Sequence, residues 1–294
     1  MKRIYSILIL CFFLSPSFAQ KLPDVQTSSM NAPSNIKIDG KTTEWNDTFA
    51  AENKRTEIYY TLANDDKNLY LVLKSASAAS ASKIIAGGIT FSINTQGKKR
   101  EKDAFSITYP LIKRVAGAGR GGQGQNQGGQ NRQAGGQGGF QNRTQQTQQQ
   151  RDSAALVQRK NQLATVKEIK IAGFKNITDT LISIYNEYGI KTVGLFDAKG
   201  EFVYELAIPL NLLELSINDT KEFVYQIKVN GLSNAGFGGG NGGRTFAGNA
   251  GGNGGGNFGA PRGNTGAGFN GGGGSGMDMM SPTDFWGKYS FTKK

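Results

Sequence analysis

Two short apolar runs on either side of a polar turn decide the fold class of this chain: EIYYTL at residues 57–62 and LYLVL at residues 69–73. Both runs consist largely of aromatic, β-branched and leucine residues, a composition that favours strands. The segment NDDKN at residues 64–68 lies between them, and Asn and Asp are residues typical of turns. We therefore predict a β-hairpin at this point of the chain.

The same strand-like pattern continues in both directions from the hairpin. A second pair of runs occupies residues 89–94 and 104–109, and in the latter the apolar side chains alternate with small or polar ones. This alternation predicts one buried and one solvated face, with Phe105, Ile107 and Tyr109 on the same side. Further strand-like runs lie at residues 166–171, 181–185, 191–196, 201–208, 222–229 and 286–291.

Helix signals are few, and the clearest is a short segment at residues 151–162. A long series of short strands without helices between them is typical of antiparallel β-sheet proteins. The predicted fold class is all-β, an antiparallel β-sandwich of the jelly-roll or immunoglobulin-like type.

Glycine is concentrated in two low-complexity tracts. Of the 42 glycines in the 294 residues, 11 lie in residues 115–150 and 22 in residues 231–276. Tracts of Gly, Gln and Asn bury too little apolar surface to offset the entropy of ordering their backbone. We expect them to be two long disordered loop insertions in one domain, because strand-like sequence lies on both sides of each.

The N-terminal residues have the plan of a secretory signal peptide. Lys2 and Arg3 precede an apolar run, and Pro16 and the small residue Ala19 follow it. We predict a leader at residues 1–19, cleavage after Ala19, and a secreted or periplasmic single domain at residues 20–294. The apolar run is too short to span a bilayer, and no longer one follows, so we expect no membrane span.

Composition excludes several classes of chemistry. The chain has no histidine, and its one cysteine, Cys11, lies in the leader. Histidine-based nucleophilic catalysis, imidazole-bound zinc or haem, and thiol chemistry are therefore excluded for the mature chain. The acids Glu44, Asp103, Glu187 and Glu205 could supply a glycosidase pair, but the sequence places no two of them together. We predict that the protein is not an enzyme.

Net charge does not indicate a nucleic-acid partner. The chain carries +12, of which the leader contributes two charges and the two tracts five, which leaves +5 on the remainder. The arginines beside glycines, such as Arg120 and Arg244, are sparse and have no aromatic platform next to them. An exported protein also does not meet RNA, so we expect no nucleic-acid binding.

Three short motifs resemble those of carbohydrate-binding module family 9-like domains, a DOMON-like β-sandwich group. They are IKIDG followed by EW at residues 36–45, the acidic turn and LYL strand at residues 60–71, and YELAIP at residues 204–209. From the residues alone, Trp45 and Ile38 belong to the core, Gly40 forms a tight turn, and Glu205 points outward from its strand. The resemblance implies the fold and, for the function, binding of carbohydrate.

Members of that family bind sugars through exposed aromatic rings, and the resemblance therefore directs attention to the aromatic side chains. Trp45 matches the family's structural tryptophan, which leaves Trp286, with Tyr109 and Tyr59, as candidate ligand-binding residues. The alternative for these three is packing in the core or at an edge. The resemblance also implies structural calcium, for which Asp39, Asp65 and Asp66 offer oxygen ligands, although turn chemistry explains the same residues.

The predicted function is that of an exported, non-catalytic protein that binds a polysaccharide or other glycan through surface aromatics. The alternative is a secreted or periplasmic scaffold or surface-adhesion protein without a sugar site. Such a scaffold would interact with cell-envelope proteins through its Gly-rich loops, with scattered phenylalanines as contact points. The two differ in whether the fold presents an aromatic-lined patch.

Overall fold

The computed structural model of the protein describes residues 21–112, 147–219, 221–232 and 281–293. The predicted leader at residues 1–19 and most of the predicted insertions at residues 115–150 and 231–276 lie outside these ranges, so the leader, its cleavage after Ala19 and the disorder stay predictions. The described strands are β1 (Ala51–Asn53), β2 (Ile58–Asn64), β3 (Asn68–Ser75), β4 (Ile89–Asn94), β5 (Phe105–Tyr109), β6 (Glu168–Ala172), β7 (Leu181–Ser183), β8 (Lys191–Phe196), β9 (Phe202–Pro209), β10 (Phe223–Val229) and β11 (Thr283–Tyr289). The described α-helices are α1 (Ala78–Gly87) and α2 (Gln148–Ala164).

The strands form two antiparallel sheets, which confirms the all-β prediction. One sheet has five strands in the order β1-β2-β3-β9-β8, and the other has six in the order β11-β10-β4-β5-β6-β7. The predicted hairpin is β2 and β3, whose register pairs Tyr60 with Leu73. Every other predicted strand also has a counterpart, with ends that differ by up to three residues.

Side chains from both sheets form one hydrophobic cluster. The hydroxyls of Tyr60 on β2 and Tyr225 on β10 lie 2.8 Å apart inside it, so the two sheets are joined by a buried hydrogen bond. In β5 the residues Phe105, Ile107 and Tyr109 are buried, while the intervening residues are only half-buried. The predicted alternation of this strand is therefore confirmed, and its apolar side faces the shared cluster.

The expectation that helices are rare missed α1, which lies between β3 and β4. Ser77 caps its N-terminus by accepting a hydrogen bond from the backbone N–H of Ser80, and Gly88 follows its last residue with a positive φ of 76°. The helix is rich in Ala and Ser, so its apolar periodicity is weak and its caps are the better signal. Within the described residues, no helix combines the length and the apolar character that crossing a membrane requires.

The predicted helix at residues 151–162 is confirmed, but it is longer at both ends. Thr147 and Gln150 form a reciprocal capping box at its start, so the helix begins at Gln148. The predicted end of the first insertion at residue 150 is therefore wrong by three residues, because Gln148–Gln150 belong to α2.

A segment before β1 covers the outward side of the five-stranded sheet. Trp45 is 6% exposed and packs there with Tyr70 and Val72 of β3 and Ala207 of β9, in a second hydrophobic cluster. The prediction of Trp45 as a core residue is confirmed. The outward side of the five-stranded sheet is therefore covered by this segment and partly apolar.

Candidate functional site

The outward side of the six-stranded sheet carries mostly polar side chains. The burial pattern of β11 shows which of its residues belong to this side. Phe285, Gly287 and Tyr289 are buried, so the alternate residues of β11 point away from the core. We call this surface the polar face and define it by Thr90, Ser92 and Asn94 of β4, Ser106 and Thr108 of β5, Val224, Gln226 and Lys228 of β10, and Asp284, Trp286 and Lys288 of β11.

Trp286 is the aromatic residue of the polar face. It is half-buried and lies directly opposite Gln226, which in turn pairs with Ser92 on the next strand. The row continues to Ser106 on β5. One half-buried indole thus lies at the end of a row of amide and hydroxyl groups, of which Gln226 and Ser92 are buried and Ser106 is half-buried. An indole beside hydroxyl groups is the combination that binds a neutral polar ligand with apolar faces.

Gln226 connects two carboxylates on this face, a role that no sequence motif indicates. Its Nε2 donates hydrogen bonds to Asp284 Oδ2 at 2.8 Å and to Glu101 Oε1 at 3.2 Å. Glu101 also forms an ion pair with Lys228, whose hydrogen bond lowers the pKa of the carboxyl against the opposing effect of burial. Gln226 is 2% exposed, and its Oε1 has no hydrogen-bond partner among the described residues.

An unsatisfied buried acceptor costs free energy unless something donates to it. Gln226 pairs with Trp286 in strand register, but its orphan oxygen is fully buried and is not open to a ligand from the surface. The loop that carries Glu101 lies over this end of the polar face, since Arg100 in that loop also receives a hydrogen bond on its carbonyl oxygen from Asn94 Nδ2 at 3.3 Å.

Tyr59 lies on the outward side of the other sheet. Its half-buried ring is 6.0 Å from that of Phe49, and Lys74 Nζ lies 5.9 Å from the centre of the Phe49 ring. Lys74 is paired with Glu201 at 2.9 Å. Tyr59 and Trp286 therefore belong to different surfaces and do not form one site.

Tyr109 lies on neither surface. It is 5% exposed, belongs to the cluster between the sheets, and its ring centre is 6.2 Å from that of Tyr204. Burial raises the pKa of its hydroxyl. A ring enclosed in this way presents no face to a ligand, so the prediction of Tyr109 as an exposed binding residue is corrected: strand parity places it in the core.

Of the three aspartates suggested for calcium, Asp39 lies in the segment before β1, where its Oδ1 accepts a hydrogen bond from the N–H of Lys41 at 3.0 Å. Asp65 belongs to the turn between β2 and β3, where Oδ1 accepts hydrogen bonds from the N–H groups of Lys67 and Asn68, both at 2.7 Å, and Oδ2 accepts one from the Tyr70 hydroxyl at 2.7 Å. Asp66 is exposed beside it. Among the residues described, no three His, Cys, Asp or Glu side chains are grouped as a metal site requires. Calcium binding stays a prediction.

Replacing Asp65 with alanine is expected to lower the free energy of unfolding by about 1 kcal/mol, because the turn loses its carboxylate acceptor. Although burial opposes the effect, hydrogen bonds from the Tyr70 hydroxyl and the backbone of Lys67 and Asn68 lower the pKa of Asp65. This stabilisation is present above the unfolded pKa and is lost as the pH falls through the folded one. Urea unfolding of both proteins from pH 7 to pH 2 should show the difference narrowing; an unchanged difference would exclude the carboxylate as its cause.

Two of the three sequence motifs meet at Glu205. Its Oε2 accepts hydrogen bonds from the backbone N–H of Asp39 at 3.0 Å and of Gly40 at 2.7 Å, and its Oε1 accepts one from Trp45 Nε1 at 3.1 Å. Gly40 has a φ of 83°, and a Cβ there would overlap Leu195. The prediction that Glu205 points outward is confirmed for its strand, but the residue is only 1% exposed, because the segment before β1 covers it.

Glu205 therefore has a structural role that accounts for these motifs without a ligand. Burial raises the pKa of its carboxyl, and the three hydrogen bonds oppose that shift. Comparisons of the chain with protein-family models, with curated proteins and with solved structures found no match.

Proposed function

We propose that the protein is an exported, non-catalytic carbohydrate-binding protein whose polar face binds a glycan. In this proposal the Trp286 indole stacks on the C–H face of a sugar ring. The half-buried hydroxyl side chains of Thr90 on β4 and of Ser106 and Thr108 on β5 bind the sugar hydroxyls. The observation that carries the proposal is the position of a half-buried indole on the same face of the sheet as the half-buried hydroxyl groups of Thr90, Ser106 and Thr108.

Sugars require this mixture of contacts, because a pyranose has apolar C–H faces and polar edges. Aromatic rings supply the apolar contact, and a few placed polar groups fix the orientation. Asp284 and Glu101 accept hydrogen bonds, and Lys228 donates them, so both kinds of partner for a hydroxyl surround Gln226. The hydroxyls of Thr90 and Thr108, 2.8 Å apart, extend the polar row on the neighbouring strands.

The carboxylates on the polar face support binding better than catalysis. Glu101 and Asp284 both lie within hydrogen-bond distance of Gln226 Nε2, so they are close enough to resemble a glycosidase pair. A glycosidase needs one of the two as a proton donor with a raised pKa. The ion pair with Lys228 lowers the pKa of Glu101 instead, and both carboxylates are engaged in positioning Gln226.

The remaining support for the proposal comes from the sequence. The motifs at residues 36–45, 60–71 and 204–209 resemble those of carbohydrate-binding module family 9-like domains, for which a β-sandwich is expected. Two antiparallel sheets with a common hydrophobic cluster agree with that architecture. Export follows from the predicted leader at residues 1–19.

Replacing Trp286 with alanine is expected to weaken glycan binding by about 30-fold, the effect of losing a binding hot spot of about 2 kcal/mol. The measurement is calorimetric titration of residues 20–294 with oligosaccharides selected from a polysaccharide panel. Trp286→Phe should retain part of the affinity, because a smaller ring still stacks. Circular dichroism of each variant establishes that the fold is intact.

Two aromatic variants serve as controls. Tyr59→Ala changes the outward surface of the other sheet, and Tyr185→Ala removes a side chain that is 80% exposed just after β7, the opposite edge strand of the six-stranded sheet. Neither should change glycan affinity. Loss of binding in Tyr59→Ala with unchanged binding in Trp286→Ala would move the site to the five-stranded sheet.

A folded protein that binds no glycan of the panel would contradict the proposal and favour the scaffold alternative, in which the Gly-rich tracts interact with envelope proteins. The same titrations in EDTA test the calcium prediction. That prediction requires affinity or stability to fall when calcium is removed, and the fall to be absent in variants of Asp39, Asp65 and Asp66.

A further inference from the structure

The strand β11 is the longest edge strand of the two described sheets. It has seven residues, whereas the other edge strands, β1, β7 and β8, have three, three and six. An edge strand presents unpaired backbone N–H and C=O groups, and proteins commonly protect such an edge with a bulge, a proline or a covering segment. Because of its length, β11 is the edge that offers the most backbone to a further strand.

The free edge of β11 lacks these protections in the described part of the chain. The strand contains no proline, and it pairs with β10 residue by residue, without a bulge. Its polar contacts outside β10 are made by side chains, among them Asp284 with Arg55 at 3.9 Å and the Tyr289 hydroxyl with the Met30 carbonyl oxygen at 3.0 Å. Among the described residues, no backbone group outside β10 bonds the backbone of β11. Every second residue of an antiparallel strand directs its backbone groups away from its neighbour, so β11 retains groups for a further strand.

The outward side chains of β11 are complementary to themselves. Asp284 and Lys288 carry opposite charges at equal distances on either side of Trp286. A second copy of β11, placed antiparallel with its indole opposite the first, sets each Asp284 opposite Lys288 of the other copy. Side chains directly opposite each other in an antiparallel pair have Cβ atoms about 5 Å apart on the same face, which is within reach of an ion pair.

Only one register of this pairing matches the charges. Moving its centre by one residue in either direction sets the indole opposite one of the two charged side chains and leaves the other charge without an opposite one. On the inner side of the strand, the register centred on Trp286 sets Phe285 opposite Gly287 of the second copy, so a large ring meets a position without a side chain. Both sides of the strand therefore agree with a two-fold axis at Trp286.

The charges around the contact do not oppose this pairing. Asp284 lies between two cations of its own chain, Arg55 at 3.9 Å and its β10 neighbour Lys228, which is itself paired with a carboxylate. The Lys288 side chain is 61% exposed and lies 3.1 Å from Glu222. Across the axis, Arg55, Asp284, Lys288 and Glu222 therefore alternate in sign, and no like charges are brought together.

We propose that β11 pairs with β11 of a second copy of this chain, antiparallel about a two-fold axis at Trp286. The pairing joins the two six-stranded sheets into one continuous sheet, with both polar faces on the same side and the two indoles next to each other. The interface is isologous, as in most homodimers. This dimer does not depend on glycan binding, so it is measured without glycan.

Analytical ultracentrifugation of residues 20–294 over a range of concentrations should show an equilibrium between monomer and dimer. Asp284→Lys and Lys288→Asp each place like charges opposite each other at both ends of the contact, and each should weaken dimerisation about tenfold. An equimolar mixture of the two variants should restore it, because the positive strand of one variant then faces the negative strand of the other. Circular dichroism establishes that each variant is folded, and Lys288→Asp tests the contact on its own if Asp284→Lys does not fold.

The control reverses the charges of Lys175 and Glu214, an exposed ion pair of 2.7 Å outside β11. Lys175→Asp and Glu214→Lys change the net charge by the same amounts and should leave dimerisation unchanged. A protein that is monomeric at every concentration would overturn the second copy as the partner of β11. A dimer that the β11 reversals do not weaken, or that the control reversals weaken equally, would overturn β11 as the contact. A mixture that associates no better than its components would overturn the register centred on Trp286.

Discussion

Replacing Glu205 with alanine is expected to lower the free energy of unfolding by about 3 to 5 kcal/mol. The substitution leaves three donors without their acceptor: the buried N–H of Gly40 and indole N–H of Trp45, and the part-buried N–H of Asp39. Each buried, unsatisfied polar group costs about 1 to 3 kcal/mol. Urea unfolding followed by circular dichroism measures the loss, and limited proteolysis should show faster cleavage before β1, where the segment is released from the sheet.

A double-mutant cycle separates the hydrogen bonds of Glu205 from its packing. Glu205→Gln keeps the size and one acceptor oxygen, but its NH₂ group then opposes either the two backbone N–H groups or the Trp45 indole N–H. Trp45→Phe removes the indole donor. The cost of Glu205→Gln should therefore be smaller in the Trp45→Phe background. Additive costs would show that the contact between the two side chains contributes nothing.

Glu205 should also make the free energy of unfolding depend on pH. Burial raises the folded pKa of Glu205, so the folded protein retains this proton to a higher pH than the unfolded chain, whose pKa is about 4.3. Its contribution to stability is therefore fully present below the unfolded pKa and falls as the pH rises through the folded one. Glu205→Gln should lack this component, and an identical pH profile in the variant would exclude Glu205 as its source.

Gly287→Ala is the second substitution with a large expected effect, a loss of about 3 kcal/mol. Gly287 faces the core from β11, and a Cβ at this position would overlap the ring of Tyr225. Tyr225 is fully buried and its hydroxyl is hydrogen bonded to Tyr60, so the ring has no room to move. Overpacking of a well-packed core costs about 1 to 3 kcal/mol, and a rigid neighbour places this position at the upper end.

The control for Gly287→Ala replaces Tyr225, whose ring the new methyl group would overlap, with a smaller residue. Tyr225→Leu is destabilising alone, but it creates the space that the new methyl group needs, so the double variant should be more stable than the sum of the two losses predicts. Thermal unfolding of the four proteins measures the coupling. A wild-type melting temperature for Gly287→Ala alone would show that the Tyr225 ring does not occupy the space above Gly287.

Much of the fold was predictable because strand periodicity and turn chemistry are local signals. The hairpin of β2 and β3 follows from two apolar runs and the NDDKN turn, and Asp65 and Asn68 in that turn form the expected hydrogen bonds. The α1 helix was missed because small residues give little periodicity. The sequence analysis did not find that Glu205 is covered, because its covering depends on contacts between residues 160 or more positions apart in the chain.

The candidate site was predictable only in part, for a related reason. Trp286 and Tyr59 were identified as aromatic residues, but sequence does not show that their strands belong to different sheets. For Tyr109, the alternation in β5 had already placed the side chain on the buried side of the strand. That pattern is a better guide to its position than the fact that the residue is aromatic. Gln226 has no motif around it, and its importance appears only when register places it beside Trp286, Asp284 and Glu101.

Glycan binding on the polar face is tested most directly by NMR of the two indole N–H groups, which give one signal each for Trp45 and Trp286. Trp45 is buried and donates to Glu205, whereas Trp286 is half-buried on the polar face. Titration with the tightest-binding oligosaccharide should shift the Trp286 signal, assigned through Trp286→Phe, and leave the Trp45 signal in place. A Trp286 signal that stays unchanged at saturation with a bound glycan would contradict the account.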